Sequence, residues 1–487
     1  MISTAITVSR SSSRWTALTL IVAAQFMVVL DMSIVNVALA TIKNDLGFSQ
    51  ASLQWVITAY AIVFGGFLLL GGRLADLLGR RRVFIGGIAL FTLGSALSGL
   101  AWSAGSLIVF RGLQGLGGAL FAPAGLSLLM TIFREGRERN TALGIWGAAS
   151  GAGGAVGVLL GGVLTSYLSW PWIFYINVPV GLALVLLVPR FMAESRASLG
   201  HRHFDVAGAV SVTASLMVLV FALTRATQNG WGSASTIALL AASAVLAGVF
   251  VLVERRAASP LVPFDVFRGT TLSTGTLITA IVASVGFSQF FLLTLYLQQV
   301  LHYSAARTGL AFVAIAVTVA VMSQVAQRVV TVLGPRRVLA AGLLLAAVAE
   351  GLLVRLPVHG RYVTDLLPSF VLIGAAVGTS FVAVTIAALA GVPGRDAGVA
   401  SGLVNTARQV GGAVGLAAVT TIATIYAGHR SVNESAAAGA THGFRVAFVT
   451  LAILSVAGAV LTTTMRVRHP ENEVVERAAS EALAEAA

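Results

Sequence analysis

Gly71-Gly72-Arg73-Leu74-Ala75-Asp76-Leu77-Leu78-Gly79-Arg80-Arg81-Arg82 is a short, densely basic turn between two long apolar runs. The rest of the chain repeats that plan. Runs of about twenty apolar residues, the length that spans a bilayer, alternate with brief connections that are in turn rich and poor in arginine. A similar turn returns as Gln327-Arg328-Val329-Val330-Thr331-Val332-Leu333-Gly334-Pro335-Arg336-Arg337. The two stretches predict a many-span membrane protein built from two related halves.

Composition agrees. Of 487 residues, 57% are hydrophobic and 10% charged, and the mean hydropathy is +0.92. Soluble domains carry about 25% charged residues, so no water-soluble core hides this much apolar surface. The net charge of +13 lies in short connections and not in one patch, which reads as membrane orientation and excludes nucleic-acid binding. The chain has no cysteine, so disulfides, thiolate metal sites and thiol nucleophiles are out. Its only lysine, Lys43, follows an isoleucine, which rules out a phosphate loop of the G-x-x-x-x-G-K-[ST] type. H-E-x-x-H and G-x-S-x-G are absent as well. No enzyme chemistry, metal or cofactor is expected. The N-terminal run from Trp15 to Ile42 is too long for a signal peptide and contains Asp31, so it reads as the first span.

Spans are placed near 16–42, 53–70, 83–102, 105–133, 141–166, 171–189, 206–225, 235–254, 272–298, 307–330, 337–356, 365–391, 397–427 and 444–465. They are too long for strands and do not alternate, so the fold class is all-α. With the N-terminus in the cytoplasm, 22 cationic residues fall on the cytoplasmic side and seven on the other, while Arg111 and Arg408 lie inside spans. That bias places both termini of this multi-pass protein in the cytoplasm. The preference for Arg over Lys and the wealth of Ala and Gly point to the cytoplasmic membrane of a GC-rich bacterium.

The halves align directly. Gly79-Arg80-Arg81-Arg82-Val83 matches Gly334-Pro335-Arg336-Arg337-Val338 at an offset of 255, and Gly153-Gly154-Ala155-Val156-Gly157 recurs as Gly411-Gly412-Ala413-Val414-Gly415 at 258. Both matches join features of the same polarity, so the repeats are parallel. The expected organisation is an N-terminal six-helix bundle at 1–190, linkers with two inserted helices at 191–268, a C-terminal six-helix bundle at 269–466 and a cytoplasmic tail at 467–487.

Asp31 is the sharpest single residue, because a carboxylate within a span is costly and marks function by default. Ser33 and Asn36 lie nearby but on other faces of the helix, so part of this polarity serves packing. Arg111 lies roughly 10 Å below the outer end of the fourth span, at about 1.5 Å per residue, with Gln114 and Gly118 on its face. Asp31 sits somewhat deeper, within reach of coupling to it. Asn405, Arg408, Gln409 and Gly412 form a polar stripe in the thirteenth span. Glu350 in the eleventh and Asp365 at the outer end of the twelfth are further candidates for proton coupling, and Arg408 with Glu350 is a candidate buried pair. Gly153, Gly157 and Gly161, four apart, form a small-residue ridge for close helix approach, and with Gly162 they mark a candidate gating helix. Trp55, Tyr60, Trp146, Phe287 and Phe290, with Asn36, Gln114, Gln289, Asn405, Arg408 and Gln409, are candidates for lining a cavity.

Together these residues resemble the major facilitator superfamily, specifically its fourteen-span drug:proton antiporters, over nearly the whole chain. Gly72-x-Leu74-x-Asp76-x-x-Gly79-Arg80-Arg81-Arg82 is similar to the loop signature between spans two and three. Leu30-Asp31-Met32-Ser33-Ile34-Val35-Asn36-Val37-Ala38-Leu39 resembles the first-span motif, whose Asp is linked to protonation. Arg111-Gly112-Leu113-Gln114-Gly115 resembles the fourth-span motif tied to proton transfer. The fifth span, Gly147 to Gly162, resembles the antiporter motif except that Val158 stands where a proline is usual.

The resemblance implies two six-helix bundles flanking a cavity, two inserted helices outside them and alternating access by rocking. The expected activity is exchange of inward protons for outward amphipathic, cationic or neutral drug-like molecules. In that scheme Asp31 carries the proton, Arg111 tunes it, and Gly72, Asp76, Gly79, Arg80, Arg81 and Arg82 form a conformational latch. The expected partners are the small-molecule substrate, protons and membrane lipids, and the protein is expected to be a monomer. Two alternatives stand beside this: a dedicated exporter of an endogenous metabolite, antibiotic or lipid, and a non-transporting sensor or scaffold.

Overall fold

The computed structural model describes residues 9–48, 50–53, 55–133, 136–196, 205–257, 260, 262, 272–390, 392, 396–428 and 436–465. The expected tail at 467–487 and the linker stretches 197–204 and 263–271 lie outside the described residues. No strand occurs among them, as the long unalternating apolar runs require. Fourteen long helices follow in order: α1 Ser9–Leu46, α2 Trp55–Leu78, α3 Arg80–Gly99, α4 Ala104–Ile132, α5 Arg137–Tyr167, α6 Trp172–Phe191 and α7 Val206–Asn229. Then come α8 Ala234–Arg256, α9 Leu272–Leu295, α10 Val313–Leu333, α11 Pro335–Leu353, α12 Leu367–Leu389, α13 Ala397–Gly428 and α14 Ala436–Leu461. Among the described residues thirteen spans are long and apolar enough to cross a membrane. The exception is α11, whose 19 residues include Arg336, Arg337 and Glu350. It nevertheless packs on α12 and α14 and turns Leu344, Val348 and Leu352 outward.

The basic turn is tighter than its sequence suggests. Helix α2 runs on through Leu78 and α3 begins at Arg80, so Gly79 alone is non-helical. Gly79 has φ +114° and its repeat counterpart Gly334 has φ +79°, a region that glycine enters without strain. Elsewhere helices start on side-chain caps. Ser103 accepts from the Ser106 amide at 3.2 Å, and Asp205 accepts from the Gly208 amide at 2.7 Å, each satisfying an otherwise orphaned donor.

The repeat is visible in packing as well as in sequence. Gly153 of α5 lies against Val29 of α1, and Gly411 of α13 lies against Ala280 of α9. At these crossings Ser33 donates to the Gly153 carbonyl at 3.4 Å, and Ser284 donates to the Gly411 carbonyl at 2.6 Å. Within the first six helices α4 packs on α2 and α3, and α5 on α1; within the last six α12 packs on α10 and α11, and α13 on α9. The two sets meet where α2 and α4 touch α13, and where α5 touches α10 and α12. Helices α7 and α8 pack on each other, with Ser215 and Ser243 each donating to the other's carbonyl at 3.0 Å. Helix α7 also lies on α2 and α13. The outward face of α8 presents Ile237, Val245 and Leu252, as a lipid-facing helix does.

Candidate functional site

A helix satisfies its own backbone, so a carboxylate buried on it must find partners among side chains. Asp31 finds three. Its Oδ2 receives Arg111 Nη1 at 2.7 Å, and its Oδ1 receives Gln114 Nε2 at 2.7 Å and Asn177 Nδ2 at 3.0 Å. Arg111 and Gln114 project together because they are three apart on α4. Arg111 also donates to the Gln114 side-chain carbonyl at 2.6 Å and, through Nε, to the Val56 carbonyl of α2 at 3.1 Å. Its guanidinium lies 4.4 Å from the Tyr60 ring centroid and 5.5 Å from that of Phe174, in cation–π contact. Ser95 of α3 closes the network, accepting from Gln114 and Asn177, each at 3.1 Å, and donating to the Phe174 carbonyl at 2.9 Å. Asp31, Gln114 and Ser95 have no exposure and Arg111 only 1%.

The reach between Asp31 and Arg111 expected from depth is therefore a direct ion pair. Snorkelling of Arg111 to the surface is excluded by its burial. A closed ion pair of this kind offsets a large desolvation cost only while its geometry and hydrogen bonds are complete. Placing a proton on Asp31 removes one charge and frees Arg111 from its counter-ion. The network thus ties α1 to α2, α3, α4 and α6 through one buried ion pair and its hydrogen bonds. Ser95 and Asn177 were not among the residues expected. Asn177 carries a signal, a lone amide in the apolar run of the sixth span, whereas a serine among many small residues carries none.

The glycine ridge supports this cluster from behind. A Cβ on Gly157 would meet Ser33 Oγ and, at 2.8 Å, the Leu30 carbonyl; one on Gly161 would lie 2.7 Å from the Ile34 carbonyl. Gly162 beside it is buried. The ridge seats α5 against α1 on both sides of Asp31.

At the arginine-rich face, Asp76 Oδ1 accepts from Arg80 Nη2 at 2.7 Å and Nε at 3.1 Å. Its other oxygen faces Gly398, in the first turn of α13, where the helix dipole favours negative charge. A Cβ on Gly72 would lie 2.5 Å from the Gly398 carbonyl oxygen and 3.2 Å from its carbon, so the signature joins the first six helices to the last six. Glu194, in what reads as a plain polar linker, is part of it. Its Oε1 accepts from the Arg81 amide at 3.1 Å and its Oε2 from the Arg82 amide at 3.2 Å. The carboxylate thus caps the N-terminus of α3. Arg81 in turn donates to the Met192 carbonyl at 3.0 Å. An acidic residue in a polar linker gives no advance sign of this.

The remaining expectations divide. Arg408 and Glu350 do not meet. Glu350 is closed in with no exposure and its Oε2 accepts from Ser455 of α14 at 2.9 Å, because α11 turns that face toward α14. Arg408 points toward α5: it binds the Asn405 side-chain oxygen, donates to Ser150 at 3.4 Å and lies 4.9 Å from the Trp146 ring centroid. Asp365 accepts from the Arg361 amide at 2.7 Å and caps its own turn at the end of the helix. Tyr60 and Gln114 belong to the Asp31 cluster and line no open surface. Trp146 is buried under Arg408, with 1% exposure. Trp55 packs on Phe221 of α7 at 5.7 Å, and Phe290 stacks on Phe312 at 5.6 Å. The Phe287 ring covers Gly412, while Gln409 lies by Gly65. Gln289 is buried and Asn36 is exposed, the latter donating to the Met32 and Ser33 carbonyls of its own helix.

Known proteins share this plan. The chain is 41% identical over 89% of its length to the puromycin resistance protein of Streptomyces alboniger, covering 88% of that protein. It is 41% identical over 94% of its length to the cephamycin export protein of Amycolatopsis lactamdurans, covering 93% of it. With the tetracenomycin C resistance and export protein of Streptomyces glaucescens it shares 36% identity, over 83% of this chain and 74% of that one. The fold matches the crystal structure of the human organic anion transporter MFSD10 with a TM-score of 0.63 at 15% identity, covering 92% of this chain and 99% of that one. The model of the Major Facilitator Superfamily matches residues 21–416 and again 276–486, and the chain belongs to that superfamily of transporters.

Proposed function

We propose that this transporter is a proton-coupled exporter of amphipathic drug-like compounds working by alternating access. The observation that carries the reading is the Asp31–Arg111 pair, a fully buried carboxylate whose partners come from α4 and α6. Protonation of Asp31 from one side of the membrane dissolves the pair and favours one packing of the first bundle. Release of the proton to the other side restores it. The contacts between halves support a state closed on the arginine-rich face. Toward that end of the helices Gly72 meets Gly398 and Gly147 meets Phe381. In this reading that face is cytoplasmic, both termini lie there, and the bundles at 1–190 and 269–466 rock against each other.

The names of the three relatives above, each carrying one compound, fit a narrower form of the same reading, a dedicated exporter of one antibiotic or metabolite. A substrate panel separates the two: a multidrug pump moves several unrelated scaffolds, and a dedicated exporter moves one. The coupling is tested in proteoliposomes with an imposed pH gradient. Uphill movement of substrate by the wild type that collapses with the gradient supports the reading, and gradient-independent downhill movement refutes it.

A further inference from the structure

Charge in the middle of a membrane protein is kept only where it has a partner or a task. Of the carboxylates buried away from the helix ends, Asp31 is held by Arg111 and Glu350 is shut against Ser455 with no exposure. Neither is open to a cation. Arg408 is different. It lies about 17 Å along α13 from its first residue, at about 1.5 Å per residue, which is near mid-membrane depth. Its side chain is half-buried, and among the described residues no carboxylate lies within salt-bridge distance of it.

Its surroundings position the guanidinium without neutralising it. Asn405, one turn earlier on α13, takes one end, and Trp146 offers a ring face. Ser150 of α5 accepts from it at 3.4 Å and also accepts from Gln25 of α1 at 3.0 Å. Through Ser150 and Trp146 the Arg408 side chain connects α13 of the last six helices to α5 of the first six. A planar guanidinium with free donors beside an aromatic face suits a carboxylate or phosphate attached to an apolar body.

We infer that Arg408 is the binding residue for an anionic group on the transported molecule, seated between α1, α5 and α13. The inference rests on the proposed export function and replaces the sequence expectation of cationic or neutral substrates. The anion can arrive on a soluble amphiphile or on a lipid headgroup, since both present the same chemistry.

The test uses three probes with one pyrene body: pyrenebutyrate, its neutral amide and the corresponding amine. Binding is measured to the purified full chain in neutral detergent, and transport in phosphatidylcholine proteoliposomes under a pH gradient. The expected result is that wild type prefers the carboxylate, and that Arg408→Gln lowers its affinity roughly tenfold or more, the worth of a charge-assisted hydrogen bond. Arg408→Lys should recover part of the loss, and the amide should bind both forms alike. Displacement of pyrenebutyrate by added phosphatidylglycerol, lost in Arg408→Gln, assigns the site to a lipid phosphate; no displacement assigns it to the solute. If wild type moves the amine and not the carboxylate, or if Arg408→Gln weakens all three probes equally, the inference fails while export stands. If wild type moves no probe and no compound of the wider panel, it is the export reading that fails.

Discussion

At the scale of single residues, the cost of a buried charge explains what Asp31 does to its neighbourhood. Removing one partner of a buried pair leaves the other uncompensated, at a cost of about 3–5 kcal/mol. Arg111→Gln is therefore expected to lower thermal stability in detergent strongly, and the double variant Asp31→Asn/Arg111→Gln to regain much of the loss. Additive losses in the two single variants would show that the pair is not an energetic unit. The sequence made Asp31 and Arg111 legible because each is a charge in an apolar run, and depth along a helix is simple arithmetic. It did not show that Ser95 and Asn177 complete the shell, because contacts across α3 and α6 depend on how the bundle closes. It offered Glu350 as a partner for Arg408, and helix rotation, invisible in a single sequence, turned each toward a different neighbour.

Individual helices are positioned by close approach and by caps. Gly157→Leu is expected to destabilise by about 1–3 kcal/mol, the cost of overpacking, because its side chain would enter the space of Ser33 and Leu30. Gly154 has nothing within 4 Å of an added Cβ, so Gly154→Ala is the control that should leave the melting temperature nearly unchanged. Equal shifts in both would mean that the ridge is not a helix contact. Glu194→Ala removes the cap on α3 and is expected to cost about 0.5–2 kcal/mol, read from the melting temperature of the purified protein. An unchanged melting temperature would show that the carboxylate contributes nothing there. The basic stretch announced a turn between two spans; that the turn is one residue long followed from α2 continuing through Leu78, which composition does not reveal because arginines also end helices. The glycine spacing, by contrast, gave its helix face directly.

On the scale of the whole molecule, the repeat and the number of long helices were readable because apolar length and Gly-rich matches survive without tertiary information. The route by which the halves touch was not, since it depends on which helices come to line the seam. A Cβ on Gly402 would lie 3.5 Å from the Leu69 Cα, and the chain has no cysteine of its own. Leu69→Cys with Gly402→Cys should thus cross-link under mild oxidation, and transport should stop until reductant is added. Undiminished transport by cross-linked protein would rule out opening at the α2–α13 seam. The central claim, that Asp31 links proton movement to export, is tested most directly by comparing wild type with Asp31→Asn in proteoliposomes carrying an imposed pH gradient. The account predicts that wild type drives substrate uphill, whereas Asp31→Asn binds substrate but no longer accumulates it. Uphill transport by Asp31→Asn at the wild-type rate would contradict it.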